Sequence, residues 1–331
     1  MQQADQAMPK AEVGILIYPD CQRAMFLGMT DLLQTASDIS VSHGGQVLRI
    51  SHWSRDPSGD FCRCFDTHPS KPGYPDIVIA PGRLTGPITG ADATPYAEWL
   101  AERHARGSVL ASSCGGAFLL AETGLLDGRP ATTHWAFGEP FGALYPRVRL
   151  NTARILVDDG DVITASGLMA WTDLGVRLIE RIFGAAVMAE TSRFFLIDTA
   201  GREQMHYRSF TPPLMHGDEA ILKVQHWLQA RNARAVTIAD MASHAGLEER
   251  TFLRRFKAAT GMKPTGYAQH LRIEKARELL QLTRRPVDQI VWSVGYEDTA
   301  AFRRPFQRMI GLSPGNYRRR FEAGADVGLA A

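Results

Sequence analysis

Residues 11–197 alternate between short apolar runs and stretches with helical spacing. Val13-Gly14-Ile15-Leu16-Ile17-Tyr18 is an apolar run closed by Pro19-Asp20, the pattern of a buried strand and its turn. Residues 25–36 then place Met25, Leu32, Leu33 and Ala36 on one helical face. Val47 to Trp53 predicts a second strand, and Asp76-Ile77-Val78-Ile79-Ala80 a third, stopped by Pro81-Gly82. Residues 95–106 read as a helix with charges at Glu98, Glu102, Arg103 and Arg106, and Ser108 to Ser112 as another strand. Ile163 to Gly167, followed by Met169 to Leu174, predicts a strand, a loop and a helix. Strands alternating with helices predict crossover units around a parallel sheet covered on both faces.

The pattern changes after residue 197. Residues 198–217, DTAGREQMHYRSFTPPLMHG, carry Gly, Thr and a Pro-Pro pair with little periodicity, and read as a linker. Helical spacing resumes at Asp218, with Ile221, Leu222, Val224, Gln225 and Leu228 on one side. From there the chain repeats itself. At an offset of 49, Ile238 matches Val287, Met241 matches Ile290, Ala242 matches Val291 and Gly246 matches Gly295. At an offset of 50, Phe252 matches Phe302, Arg254 matches Arg304, Phe256 matches Phe306, Gly261 matches Gly311, Pro264 matches Pro314 and Tyr267 matches Tyr317. Each copy predicts a short apolar helix, a Gly at a sharp turn, and a second helix anchored by Phe at i and i+4, which is a helix-turn-helix signature.

Composition adds limits to this picture. A chain of 331 residues exceeds one ordinary core, so two domains are expected. The 45% hydrophobic and 22% charged content fits globular protein rather than disorder. No apolar run reaches the ~18 to 20 residues that would span a bilayer. The opening MQQADQAMPKAE has no basic segment followed by an apolar one, which predicts no export by that route. Four cysteines make no disulfide scaffold and predict a reducing, cytoplasmic setting. Cys62-Arg63-Cys64 has no second cysteine pair at zinc-ligand spacing, so neither a metal nor a cofactor is expected.

The net charge of +2 conceals an asymmetry: −5 over residues 1–217, +9 over 218–321 and −2 over the last ten. A basic module behind an acidic one predicts a polyanion partner for the second part. The expected organisation is a disordered N-terminus (1–10), an α/β domain (11–197), a linker (198–217), a basic helical domain (218–321) and a tail (322–331).

In the first domain the chemistry concentrates at Ala111-Ser112-Ser113-Cys114-Gly115-Gly116-Ala117. A strand running into small-x-Cys-x-Gly and then a helix is the pattern of a nucleophile elbow. Such a turn exposes the thiol near a helix N-terminus, which favours a thiolate. With Ala131-Thr132-Thr133-His134-Trp135, the elbow resembles the ThiJ/PfpI group, itself similar to class I glutamine amidotransferases, over roughly residues 11–190. The resemblance implies a flavodoxin-like sandwich with Cys114 facing His134 at the carboxyl ends of the strands, where open parallel sheets bind ligands. It implies Gly82, Cys114, Gly115 and His134 as effector-binding residues. Two departures weaken turnover: Met25 falls near the Glu that enzymes of the group carry, and Gly115 stands where peptidase-like members have His. No carboxylate to orient His134 is evident from the sequence.

In the second domain, burying the Phe pairs points Glu249, Arg250, Leu253, Arg254 and Lys257 mostly outward, and Arg250, Thr251, Leu253, Arg254 and Lys257 are the candidate DNA-binding residues of this copy. The outward set of the second copy is Thr299, Ala300, Arg303, Arg304 and Gln307. Arg at such positions can bind guanine in a major groove or a phosphate. Residues 218–321 resemble the DNA-binding domain of AraC-type regulators, carried by Ala239-Asp240-Met241-Ala242, Phe252 to Lys257, Gly295-Tyr296, Phe302 to Phe306 and Gly311 to Arg318. Pro305 departs from that pattern and is expected to kink the second recognition helix, which begins near Asp298. Together the two halves resemble the GlxA group of AraC-type regulators. That resemblance implies a homodimer acting on double-stranded DNA and RNA polymerase, under a small-molecule effector, with nitrogenous metabolites among the candidates. Two alternatives stay open: a DNA-tethered hydrolase or glyoxalase-like enzyme using Cys114 and His134, and an architectural DNA binder with an inert first domain.

Overall fold

The computed structural model describes residues 9–69, 73–198, 203–207, 209–210 and 212–322. The expected disordered N-terminus and the tail lie outside the described residues, apart from Pro9, Lys10 and Glu322. The chain divides into two compact units, Met1–Gln204 and Met205–Ala331, and the division falls inside the stretch read as a linker.

The first unit is an α/β sandwich. Its strands are β1 (Ala11–Ile17), β2 (Leu48–Arg55), β3 (Phe61–Asp66), β4 (Ile77–Ala80), β5 (Val109–Ser113), β6 (Pro130–Ala131), β7 (Arg149–Leu150), β8 (Leu156–Asp158) and β9 (Val162–Ala165). The main sheet runs β3-β2-β1-β4-β5-β9-β8. Its interior pairs are parallel, as expected. Both edge strands, β3 and β8, pair antiparallel, which the alternation of strands and helices did not foretell. β3 escaped notice because its alternating burial leaves Cys62, Cys64 and Phe65 exposed, so no apolar run marks it.

The period-2 alternation of the central strands splits the core in two. Val13, Ile15, Ile77 and Ile79 pack on one face under α1 (Arg23–Ser42), α5 (Trp171–Phe183) and α6 (Ala185–Phe194). Leu16, Val78, Ala80 and Leu110 pack on the other, under α2 (Thr94–Ala105), α3 (Gly116–Glu122) and α4 (Gly138–Leu144). Met25 is fully buried in the first of these cores. The amino end of β1 holds a buried ion network. Arg49 pairs with Asp66, and Glu12 accepts from Arg63 at 3.0 Å and from the Ser51 hydroxyl at 2.6 Å.

The second unit comprises α7 (Glu219–Ala230), α8 (Ile238–Ala245), α9 (Glu249–Thr260), α10 (Pro264–Leu282), α11 (Val287–Ser293), α12 (Thr299–Ile310) and α13 (Pro314–Phe321). The sequence repeat becomes two cores joined by one helix. Phe252, Phe256, Met241 and Tyr267 fill the first, and Phe302, Phe306, Ile290 and Tyr317 the second. α10 serves both, with Tyr267 and Ala268 in one core and Ile273, Ala276 and Leu280 in the other. The aromatic geometry repeats as well. Phe256 meets Tyr267 edge-on at 5.3 Å, and Phe306 meets Tyr317 at 5.7 Å. Gly246 (φ 66°) and Gly295 (φ 84°) turn the chain between the two helices of each copy through the left-handed region, which glycine enters without a Cβ penalty.

Candidate functional site

The elbow forms as the sequence predicts. Cys114 follows β5 at φ 51°, a left-handed conformation rarely taken by a residue with a side chain, and α3 starts two residues later. Its N–H donates to Ala165 O of β9 at 2.8 Å, and the Thr133 hydroxyl donates to its carbonyl at 2.8 Å. Close approach demands small residues here. A Cβ on Gly116 would sit 2.1 Å from Ala80 O, and one on Gly82 2.8 Å from Cys114 Cβ. Gly82, Cys114 and Gly115 are thus brought together, since the same Gly82 Cβ would lie 3.2 Å from Gly115 N.

The expected thiolate does not follow. Cys114 is 1% exposed, and burial pushes its thiol up to about 11, outweighing the hydrogen bond from the Gly115 backbone. The helix-terminus argument fails because desolvation of a charged sulfur exceeds what one short helix returns. His134 is also turned away from base chemistry. Its Nδ1 accepts from Ala136 N–H at 3.1 Å, so the neutral ring carries its proton on Nε2. Burial lowers its pKa, and the ring lies between Trp135 and Phe137 at centroid distances of 5.3 and 5.7 Å.

Several polar groups around the elbow lack hydrogen-bond partners among the described residues. Ser113 Oγ precedes the cysteine, and Ser166 Oγ follows the residue that accepts its N–H. Gln22 Oε1 belongs to the residue whose N–H donates to Gly82 O at 2.8 Å. Buried, unpaired polar atoms in a native fold call for a water or a ligand.

Sequence reasoning missed two residues here. The Tyr18 hydroxyl donates to Pro81 O beside Gly82, and burial raises its pKa. Gln204, in the stretch read as linker, accepts from Trp135 N–H at 2.6 Å and donates to Thr133 O at 3.1 Å and Thr152 O at 2.8 Å. It clasps the segment carrying His134 from both sides. Neither had a sequence signal, because each role depends on partners more than fifty positions away.

In the second unit all but one of the proposed DNA-reading side chains are exposed. Arg250, Leu253, Arg254 and Lys257 are exposed on α9, and Thr251 is half-buried. Thr299, Arg303 and Arg304 are exposed on α12, while Phe302 and Phe306 are buried beneath them. Asp298 caps α12, accepting from Ala300 N at 3.1 Å and Ala301 N at 2.9 Å. The helix runs unbroken from Thr299 to Ile310 with Pro305 buried inside it. Its carboxyl end is also held, as His206 pairs with Ile310 O at 2.7 Å.

The family described as "Helix-turn-helix domain" matches residues 241–320, and "DJ-1/PfpI family" matches residues 64–181. The chain is therefore a DJ-1/PfpI domain joined to an AraC-type helix-turn-helix domain, the build of a DNA-binding transcriptional regulator. It is similar to the HTH-type transcriptional regulator CdhR of Pseudomonas aeruginosa, 28% identical over 83% of this chain and 79% of that protein. It is also similar to the HTH-type transcriptional regulator GlxA of Rhizobium meliloti, 28% identical over 62% of this chain and 63% of that one. A solved AraC family transcriptional regulator from Pseudomonas putida matches at 19% identity and a TM-score of 0.46, covering 56% of this chain and 99% of that one.

Proposed function

We propose that the first unit senses a small molecule at Gly82, Cys114, Gly115 and His134, and that the second unit carries the response to double-stranded DNA. The observation behind the sensor reading is the combination of a neutral, enclosed Cys114 with unpaired buried polar atoms around it. A thiol held protonated at neutral pH is a poor nucleophile, and a His with Nδ1 already engaged is a poor base for it. The same groups can still donate and accept hydrogen bonds to a ligand. Ligand binding would then shift DNA affinity by its differential affinity for two states of the protein. A homodimer, contact with RNA polymerase and a place in the cytoplasm belong to this reading.

The strained Cys114 backbone also favours the rival, an enzyme, because such strain clusters at catalytic nucleophiles. Thiol labelling against pH separates the two. Thiolate is the reacting form, and its fraction rises with pH. Labelling of Cys114 by iodoacetamide in the folded protein should stay slow at neutral pH and accelerate only towards pH 11. Cys114→Ser should alter the response to an effector found by thermal-shift screening, while DNA binding without effector is unchanged. Fast labelling near pH 7, with Cys114-dependent turnover of a glyoxal, amide or peptide, would establish the enzyme instead.

A further inference from the structure

α11, α12 and α13 enclose an open groove of about 430 Å3 in the second helix-turn-helix copy. Its floor is apolar, formed by Val287, Val291 and Phe302, and its rim carries Arg303 of α12 with Asn316 and Arg319 of α13. None of the side chains lining it is acidic. Both arginines are exposed. Arg319 donates to Asn316 Oδ1 at 2.5 Å, a neutral acceptor, and no ion pair engages it among the described residues. The neighbouring carboxylate, Asp298, is committed to the first N–H groups of its own helix.

The repeat supplies an internal control. At the 50-residue offset, Thr299, Arg303 and Arg319 correspond to Glu249, Leu253 and Gln269 in the first copy. Those positions hold an acid, an aliphatic and a neutral amide, and Gln269 accepts from Arg308 at 3.2 Å. The scaffold is shared, but the arginine pair occurs in one copy only, and the first copy places its cations differently, with Arg250 and Lys263 at the positions of Ala300 and Ser313. Two guanidinium groups from two helices therefore line one groove in the second copy, and the residues at their two positions in the first copy carry no charge.

We propose that this groove seats a backbone phosphate of the DNA duplex between Arg303 and Arg319. Two Arg forks suit a phosphodiester, which offers two charged oxygens to bidentate donors. The second copy then anchors the duplex electrostatically, and α9 of the first copy carries the larger share of base reading. This rests on the DNA-binding reading above and adds a residue, Arg319, that lies outside both recognition helices.

The test is a salt titration of the full chain by fluorescence anisotropy on two probes, a random-sequence duplex and a duplex selected in vitro by the wild-type protein. Each phosphate contact contributes about 0.9 to the slope of log affinity against log salt. Arg319→Ala should lower that slope by about 0.9 and weaken both duplexes by the same factor. Arg319→Lys should keep the slope, because the charge remains. An unchanged slope in Arg319→Ala overturns the phosphate seat, as does a loss confined to the selected duplex with altered base preference. Arg319 is exposed and its one side-chain bond among the described residues is within its own helix, so an unchanged melting curve should confirm that the variant is folded. No salt-dependent binding by the wild-type chain is a separate outcome, and it would bring down the DNA reading together with the groove.

Discussion

The two helix-turn-helix copies share a skeleton and differ in what they present. Both bury a Phe pair on the second helix at nearly equal spacing, 5.4 Å between Phe252 and Phe256 and 5.3 Å between Phe302 and Phe306. Both rest a buried Tyr against the second Phe, and both hydroxyls accept from side-chain amides, Tyr267 from Gln225 and Tyr317 from Gln281. The divergence is sharpest at one aligned position. In the first copy Arg255 makes a forked pair with Asp218, the cap of α7, at 3.0 and 2.7 Å. In the second copy that position is Pro305, buried against the core. A charged fastening and an apolar plug can occupy the same place because the Phe pair on either side sets where the helix lies. The repeated residues hold the packing in both copies, and the faces turned to solvent differ.

The largest test of this comparison concerns the skeleton. Phe256→Ala and Phe306→Ala should each destabilise the protein by about 3 to 5 kcal/mol, the usual cost of emptying a buried aromatic site. Denaturant melts of the two variants should agree; a cost several-fold smaller for Phe306→Ala would mean that the second copy is not held as the first is. The next test concerns the faces. Arg254→Ala should cost about 1 to 3 kcal/mol of DNA binding and relax preference at one base pair. Arg304→Ala should cost less and alter base preference less, as read by binding to a panel of single-base variants of the selected duplex. Equal effects would erase the proposed division of labour. The smallest concerns Pro305. Pro305→Ala restores an N–H to α12 and removes an interior proline, worth ~3 kcal/mol in host helices, but gives up a buried ring. The net expectation is a gain of about 1 to 2 kcal/mol in thermal stability. A lower melting temperature would instead make Pro305 a fitted part of the second core.

Much of this was legible along the chain. The 49- and 50-residue offsets, the i and i+4 Phe pairs and the small-x-Cys-x-Gly turn each express a local requirement: helical period, a sharp reversal or close backbone approach. Residues within a turn or two of one another satisfy such requirements, so their spacing survives in the sequence. The exposed faces of α9 and α12 followed directly from placing the Phe pairs inside.

What the sequence determined by itself, then, is the order of the parts: an elbow-bearing α/β unit followed by two copies of one DNA-reading motif. Tertiary structure decided how those parts behave. Cys114 sits at a helix start, which argues for a thiolate, yet its burial raises the thiol pKa to about 11 and keeps it neutral. Gln204 looks like linker, yet it grips both sides of the His134 segment. Arg319 lies on a helix with no obvious part in recognition, yet it shares a groove with Arg303. Each of these depends on desolvation or on groups brought together from distant positions, and neither has a period that can be read along a chain.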